Sequence, residues 1–210
     1  MTIETLPCPA CGKPPGVCIC DRVEAITTKL RVVILQHPQE DDALLGTAKL
    51  VEVTLPKAEI RVGLSWASLD HALGTRDADR DRWAVLAAAK LPAPIPESAR
   101  ADPVVVIDRK GRLRDSKRHG LEGIIVLDGT WSQAKTLWWR NAWLLKLPLI
   151  VLKPREPSIY GRLRKEPRKE WVSTLEAIGD VLPALGEPEA VRTSLRRLLR
   201  TLLQRSRDTV

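Results

Sequence analysis

Apolar residues in this chain alternate between short continuous runs and stretches with helical spacing, the pattern of an α/β domain. Leu30-Arg31-Val32-Val33-Ile34-Leu35 is rich in β-branched residues and stops at Gln36-His37-Pro38, which predicts a buried strand. Residues 42–52 hold good helix formers, with Ala43, Leu44, Ala48 and Val51 near one face, and a short strand is expected over Ile60–Leu64. Residues 74–103 are the least patterned. An Arg/Asp cluster, an expected helix over Trp83–Lys90, and Pro92, Pro94 and Pro96 together predict a surface excursion there. Three strand-like runs follow, Val104–Ile107, Ile124–Leu127 and Leu149–Leu152. The last two flank a helical stretch from Trp131 to about Leu145, a β-α-β unit that implies parallel strands and a right-handed crossover. Ser173-Thr174-Leu175-Glu176 has capping-box spacing and opens a helix towards Leu182. From Glu187 to about Gln204, Leu195, Leu198, Leu199 and Leu202 form one stripe of a final amphipathic helix. The expected fold is α/β, a parallel sheet with flanking helices over residues 26–210, preceded by a small four-cysteine module in residues 1–25.

Composition changes this picture modestly. A chain of 210 residues, 44% hydrophobic and 29% charged, is long enough for one well-buried soluble domain. Lys and Arg number 34 against 26 acidic residues, and the net charge of +8 favours polyanionic partners such as RNA. No apolar stretch in the first thirty residues resembles a signal peptide, and no run approaches the roughly 18 apolar residues of a membrane span. The four cysteines fall within the first twenty residues, so no disulfide can staple the body of the protein; a cytoplasmic location is expected. Aromatic usage is uneven, with seven Trp, one Tyr and no Phe, and most of the Trp are expected to fill core volume.

Candidate chemistry lies in three places. Cys8-x2-Cys11-x6-Cys18-x-Cys20 groups four soft ligands around Gly12, Pro14, Pro15 and Gly16, as a closed tetrahedral zinc site requires; redox thiols are the alternative. Such a zinc would be structural, because no coordination position is left open. Ile124–Leu127 runs directly into Asp128-Gly129-Thr130-Trp131, which places Asp128 beyond the carboxyl end of a strand, where open α/β sheets bind ligands. Helix capping by Asp128 and Thr130 is the alternative reading of the same residues. Between Lys153 and Lys169, Arg155, Arg162, Arg164, Lys165 and Arg168 complete a set of seven basic residues against Glu156 and Glu166. Pro154, Pro157, Gly161 and Pro167 make this a loop whose charges can reach phosphates. Arg192, Arg196 and Arg200 recur every four residues on the last helix and read as solvated surface.

Asp128-Gly129-Thr130-Trp131 with Ser132, Gln133 and Ala134 resembles the signature that names the DTW-domain family. The cysteine cluster resembles that family's zinc-binding start, and Gln36-His37-Pro38-Gln39-Glu40 followed by Thr47-Ala48 resembles its Q-H-P-x-E segment. Ser158-x-Tyr160 with Arg164-Lys165 resembles its basic loop, and Ser173-Thr174-Leu175-Glu176-Ala177 its S-T-L-E-A motif. Five motifs in order cover almost the whole chain. Gly46 departs from the polar residue the family pattern carries before Thr-Ala.

The resemblance implies a SPOUT-like sheet knotted near the C-terminus, with S-adenosylmethionine as donor and structural zinc. The implied activity is transfer of the 3-amino-3-carboxypropyl group to N3 of a tRNA uridine, releasing 5′-methylthioadenosine. In that frame Asp128, Thr130 and Trp131 are the expected catalytic residues, with Asp128 as base. Trp131 stacks on a base or packs the crossover helix. Gln36, His37, Leu127, Asp128, Gly129, Ser173, Thr174 and Glu176 are expected to contact the donor, although a capping box also explains Ser173 and Glu176. Arg155, Tyr160, Arg162, Arg164, Lys165 and Arg168 are expected to contact RNA. The expected partner is tRNA, with no membrane and no obligate protein partner. The rival readings are a SPOUT-type RNA methyltransferase and a non-enzymatic zinc-ribbon RNA-binding protein.

Overall fold

A computed structural model of the chain describes residues 6–40, 44–87, 97–99, 101–108, 110–114, 120–154, 156–161 and 172–209. Its centre is a seven-stranded sheet formed by β1 (Arg31–Gln36), β2 (Ala58–Val62), β3 (Trp83–Ala87), β4 (Val104–Ile107), β5 (Leu113–Arg114), β6 (Gly123–Asp128) and β7 (Leu149–Leu152). The spatial order is β2-β1-β6-β3-β7-β4-β5. The first five in that order are parallel, whereas at one edge β4 runs antiparallel to β7 and β5 antiparallel to β4. The expected parallel sheet is therefore mixed.

The continuous apolar runs exist because both sheet faces are covered. Alternate residues of each central strand enter two separate cores. Val32, Ile34, Ala84, Leu86, Ile124 and Val126 face the helices α1 (Ala48–Thr54), α4 (Thr174–Ala184) and α5 (Ala190–Thr209). Val33, Leu35, Trp83, Val85 and Ile125 face α2 (Leu69–Leu73) and the 3-10 segment that holds Trp143 and Leu144. The result is three layers, helices on sheet on helices.

Residues 74–103 differ most from expectation. The expected helix beginning at Trp83 is instead β3, held between β6 and β7 with Trp83 opposite Gly123; residues 88–90 lie outside the described residues. Trp-Ala-Val-Leu-Ala has no strong periodicity, and burial on two faces overrides the helix preference of its alanines. The same insertion alters the β-α-β unit. α3 (Trp131–Arg140) does connect parallel strands, but β3 lies between β6 and β7, and a 3-10 turn over Ala142–Lys146 completes the crossover. β2 begins at Ala58 and ends at Val62, and the first helix begins at Ala48.

The N-terminal module shares the main core, since Cys11, Val17 and Ile19 bury in the same cluster as α1, α4 and α5. Arg205 on α5 clamps it, donating to the Cys18 carbonyl and forming two bonds to Asp21 at 2.9 and 2.8 Å. That guanidinium holds the Asp21 carboxyl below the usual carboxylate range. No helix among the described residues is long and apolar enough to cross a membrane.

Candidate active site

Asp128 is the last residue of β6 and stands opposite Gln36, the last residue of β1. The parallel register brings their side chains together, and Gln36 Nε2 donates to Asp128 Oδ2 at 2.7 Å. The other carboxylate oxygen accepts from Thr174 Oγ1, in the first turn of α4, at 2.5 Å. The Asp128 main chain also takes part, because its carbonyl accepts from the His37 N–H at 3.0 Å. Asp128 retains 7% exposure, so it lies at the edge of solvent with each oxygen engaged once. These contacts join the ends of two central strands to the start of a helix from the far end of the sequence.

Capping explains part of the neighbourhood. Thr130 caps α3 through a complete capping box: its N–H donates to Gln133 Oε1 at 2.6 Å and its hydroxyl accepts from the Gln133 N–H. Gln133 Nε2 then donates to the Gln39 carbonyl, which ties α3 to the turn after β1. Gly129 is required between them. Its φ is +143°, and a Cβ there would lie 2.9 Å from Gln133 Cβ and 3.4 Å from His37 Cβ. Asp128 itself does not cap α3. His37 Nδ1 accepts from the Gln39 N–H at 3.2 Å, so a neutral imidazole carries its proton on Nε2 and can donate from there. Leu127 is half-buried against the second core, and Trp131 stands 39% exposed at the start of α3.

Glu176 is fully buried, and its two oxygens accept from the Ser158 hydroxyl, the Ile159 N–H, and the N–H and hydroxyl of Ser173, all between 2.7 and 2.9 Å. It thus fastens the segment after β7 onto the start of α4, beyond what a capping box alone requires. Thr47, before α1, accepts from the Leu175 N–H, and Tyr160 donates its hydroxyl to the Leu45 carbonyl. Tyr160 is fully buried, so it does not offer its ring to RNA as its loop position suggests; the hydrogen bond to Leu45 and the surrounding core take it inward. Arg155, Arg162, Arg164, Lys165 and Arg168 lie outside the described residues. On α5, Arg192 and Arg196 pair with Asp180, Glu189 and Glu156 rather than standing free as solvated surface.

The four cysteine sulfurs lie within 4.8 Å of one another. Cys8 and Cys20 are 3.6 Å apart and Cys11 and Cys18 3.7 Å apart, close to the edge of about 3.8 Å of a tetrahedron with zinc–sulfur bonds. Gly12, at φ +69°, follows the second ligand and its N–H donates to the Cys8 carbonyl at 2.8 Å, closing the turn that holds the first two. Backbone N–H groups of Cys11 and Ala10 directed at the Cys8 sulfur bring its thiol down to about 6, whereas burial and the neighbouring thiols push Cys18 and Cys20 up. Lys13 is 2% exposed, and its ammonium donates to the Gly46 carbonyl at 2.6 Å. The module therefore reaches the 45–47 loop that also meets Tyr160 and α4. Nothing in the local pattern around Lys13 marks it for this contact, which spans 33 residues.

The structure thus gathers Gln36, His37, Asp128, Gly129, Ser173 and Thr174 at one end of the sheet, and sets Glu176 behind them. The groove at the opposite, amino ends of the strands has its guanidinium groups already paired, Arg31 with Glu59 and Arg82 with Glu122.

The chain is 27% identical over 199 residues to tRNA-uridine aminocarboxypropyltransferase 2 of Macaca fascicularis, an alignment covering 93% of this chain and 61% of that protein. It is 28% identical over 201 residues to the protein of that name from Mus musculus, again covering 93% and 61%. With that of Drosophila melanogaster it shares 27% identity over 208 residues, 96% of this chain and 75% of the relative. The chain spans about three fifths of the two mammalian relatives, at 61% of each. No solved structure matches it. A family model described as the DTW domain matches residues 6–207, from before the first cysteine to near the end of α5, and the chain belongs to that family.

Proposed function

We propose that this protein transfers the 3-amino-3-carboxypropyl group of S-adenosylmethionine to N3 of a tRNA uridine, releasing 5′-methylthioadenosine. The observation that carries this reading is the likeness, over more than nine tenths of the chain, to relatives whose shared name is that activity. The geometry at the strand ends supplies the parts. In the transfer, an N3–carbon bond forms at the γ-methylene, the carbon–sulfur bond breaks, and the N3 proton goes to Asp128. The sulfonium is already a good leaving group, so the protein mainly positions the reactants. Gln36 and Thr174 orient Asp128, and His37 donates from Nε2 at the same end of the sheet. The starts of α3 and α4 converge there, and their dipoles favour the carboxylate of the transferred arm. Glu176 acts through Ser158 and Ser173 as a positioning residue. The sheet is taken as SPOUT-like and knotted, with residues 26–210 as the catalytic domain and a cytoplasmic setting; the support is the family resemblance and the meeting of α4 with the ends of β1 and β6.

Incubation of the protein with S-adenosylmethionine and tRNA is the direct test. Methylthioadenosine in equal amount to modified uridine is expected. S-adenosylhomocysteine in its place would make the protein a methyltransferase, and no by-product from tRNA would leave a binding protein.

Cys8, Cys11, Cys18 and Cys20 hold one structural zinc in this reading, supported by their tetrahedral spacing. Elemental analysis should find about one zinc per chain, falling away in Cys11→Ser. Lys13→Met should keep the zinc and weaken S-adenosylmethionine binding about tenfold, the equivalent of one charge-assisted hydrogen bond. Metal-free protein that folds and binds the donor normally would defeat the zinc assignment. Wild-type donor affinity in the Lys13 variant would disconnect the module from the site.

A further inference from the structure

Six of the seven tryptophans fall within the described residues, and they divide by position. Trp83 and Trp143 are buried, Trp66 and Trp138 pack against the second core, but Trp139 is 69% exposed and Trp131 39% exposed. Both exposed rings are on α3. With Lys135, also exposed, they occupy positions i, i+4 and i+8, one face of the helix. Leu137, on the opposite side, is buried, and Trp138 is half-buried at the margin of the stripe beside Trp131, so the core does not account for Trp139. At 1.5 Å per residue the stripe is about 12 Å long, a few nucleotides at the 3.4 Å spacing of stacked bases. It begins three residues after Asp128 and leads away from the candidate site.

A lysine between two exposed tryptophans suits nucleic acid better than protein. The cores of protein interfaces are depleted in lysine, whereas single-stranded nucleic acid is held by aromatic faces under the bases and cations at the phosphates. α3 contains no acidic residue, and the chain carries a net +8. The chemistry agrees. Uridine N3 lies on the Watson–Crick edge, so a uridine reacting there is unpaired and its neighbours are available to stack.

We propose that Trp131, Lys135 and Trp139 form a stacking platform for unpaired nucleotides beside the target uridine, with Trp139 the outer station and Lys135 the phosphate contact. This rests on the activity proposed above. Anisotropy of a fluorescein-labelled oligouridylate, with a blunt RNA duplex of equal length as reference, tests it on the full chain. Trp139→Ala should weaken oligouridylate binding about 5- to 100-fold, the range for losing one stacked base, and leave duplex binding and the melting temperature unchanged. Trp139→Phe should keep most of the affinity, and Lys135→Ala should flatten the log-affinity against log-salt slope by about 0.7. Wild-type oligouridylate affinity in Trp139→Ala would overturn the platform. So would sedimentation showing that Trp139→Ala only splits a dimer, which would make the stripe an interface between copies. Methylthioadenosine release separates the two levels: protein that binds oligouridylate through Trp139 yet releases none from tRNA would keep the platform and sink the activity.

Discussion

Asp128→Asn is expected to slow transfer by about 10²- to 10⁴-fold, the usual loss when a general base is removed. Donor binding and melting temperature should change little, because the site can accommodate the amide. Asp128 accepts from Gln36 Nε2 and Thr174 Oγ1. An Asn offers one oxygen and one NH2 in their place. Thr174 can rotate its hydroxyl to accept, or Gln36 can flip its amide to present oxygen, so neither donor is left facing another donor. A variant with intact contacts but no basic oxygen isolates the proton transfer from the positioning. Raising the pH should recover part of the rate, because N3 then ionises without help. Single-turnover methylthioadenosine release across pH measures both effects. Gln36→Ala gives the comparison: it loosens Asp128 but keeps the carboxylate, so its loss should be smaller and should not be recovered at high pH. Near-wild-type turnover in Asp128→Asn would reduce Asp128 to a brace between β1, β6 and α4.

Glu176→Ala is expected to destabilise the fold by roughly 3–5 kcal/mol, since it leaves several buried donors without an acceptor. Those are the Ile159 N–H, the Ser173 N–H and the hydroxyls of Ser158 and Ser173. For a chain of this size the melting temperature should fall by roughly 10 °C. Ser158→Ala, which deletes one of the four donors and frees the single Tyr160 N–H that Ser158 Oγ accepts, should cost less, about 1–2 kcal/mol. Glu176→Gln should fall between them, because one amide oxygen remains and the NH2 opposes the donors. Thermal and chemical denaturation give the order directly. Unchanged stability with lost donor binding would instead make Glu176 a direct contact to S-adenosylmethionine, as the S-T-L-E-A resemblance implies.

Those two carboxylates show how differently sequence carries information. Asp128 was legible as the end of an apolar strand followed by Gly and a helix start, because strand termination and capping are local and leave their residues adjacent in the chain. Glu176 was equally legible as the fourth residue of a capping box. Its second task, gripping Ser158 and Ile159, was not, because those partners come from a different element and are chosen by packing. The pairing of Asp128 with Gln36 likewise depends on sheet order, which places β6 beside β1 although 92 residues separate the two side chains.

The sequence by itself determined the apolar strand runs, a helix cap at Thr130, the capping box at Ser173, the cysteine spacing and the excess of positive charge. Each is a short-range property, set by neighbours within a turn or a strand. Tertiary structure decided the rest. Trp83–Ala87 became a central strand because two layers cover it, against the local preference of its alanines. Tyr160 turned inward because Leu45 offers it a carbonyl and the core closes over its ring. Lys13 found Gly46, and Trp139 was left in solvent while Trp138 beside it packed inward. Two adjacent tryptophans of identical composition differ only in the direction the helix gives them, and which direction faces the sheet is fixed by how α3 docks on it.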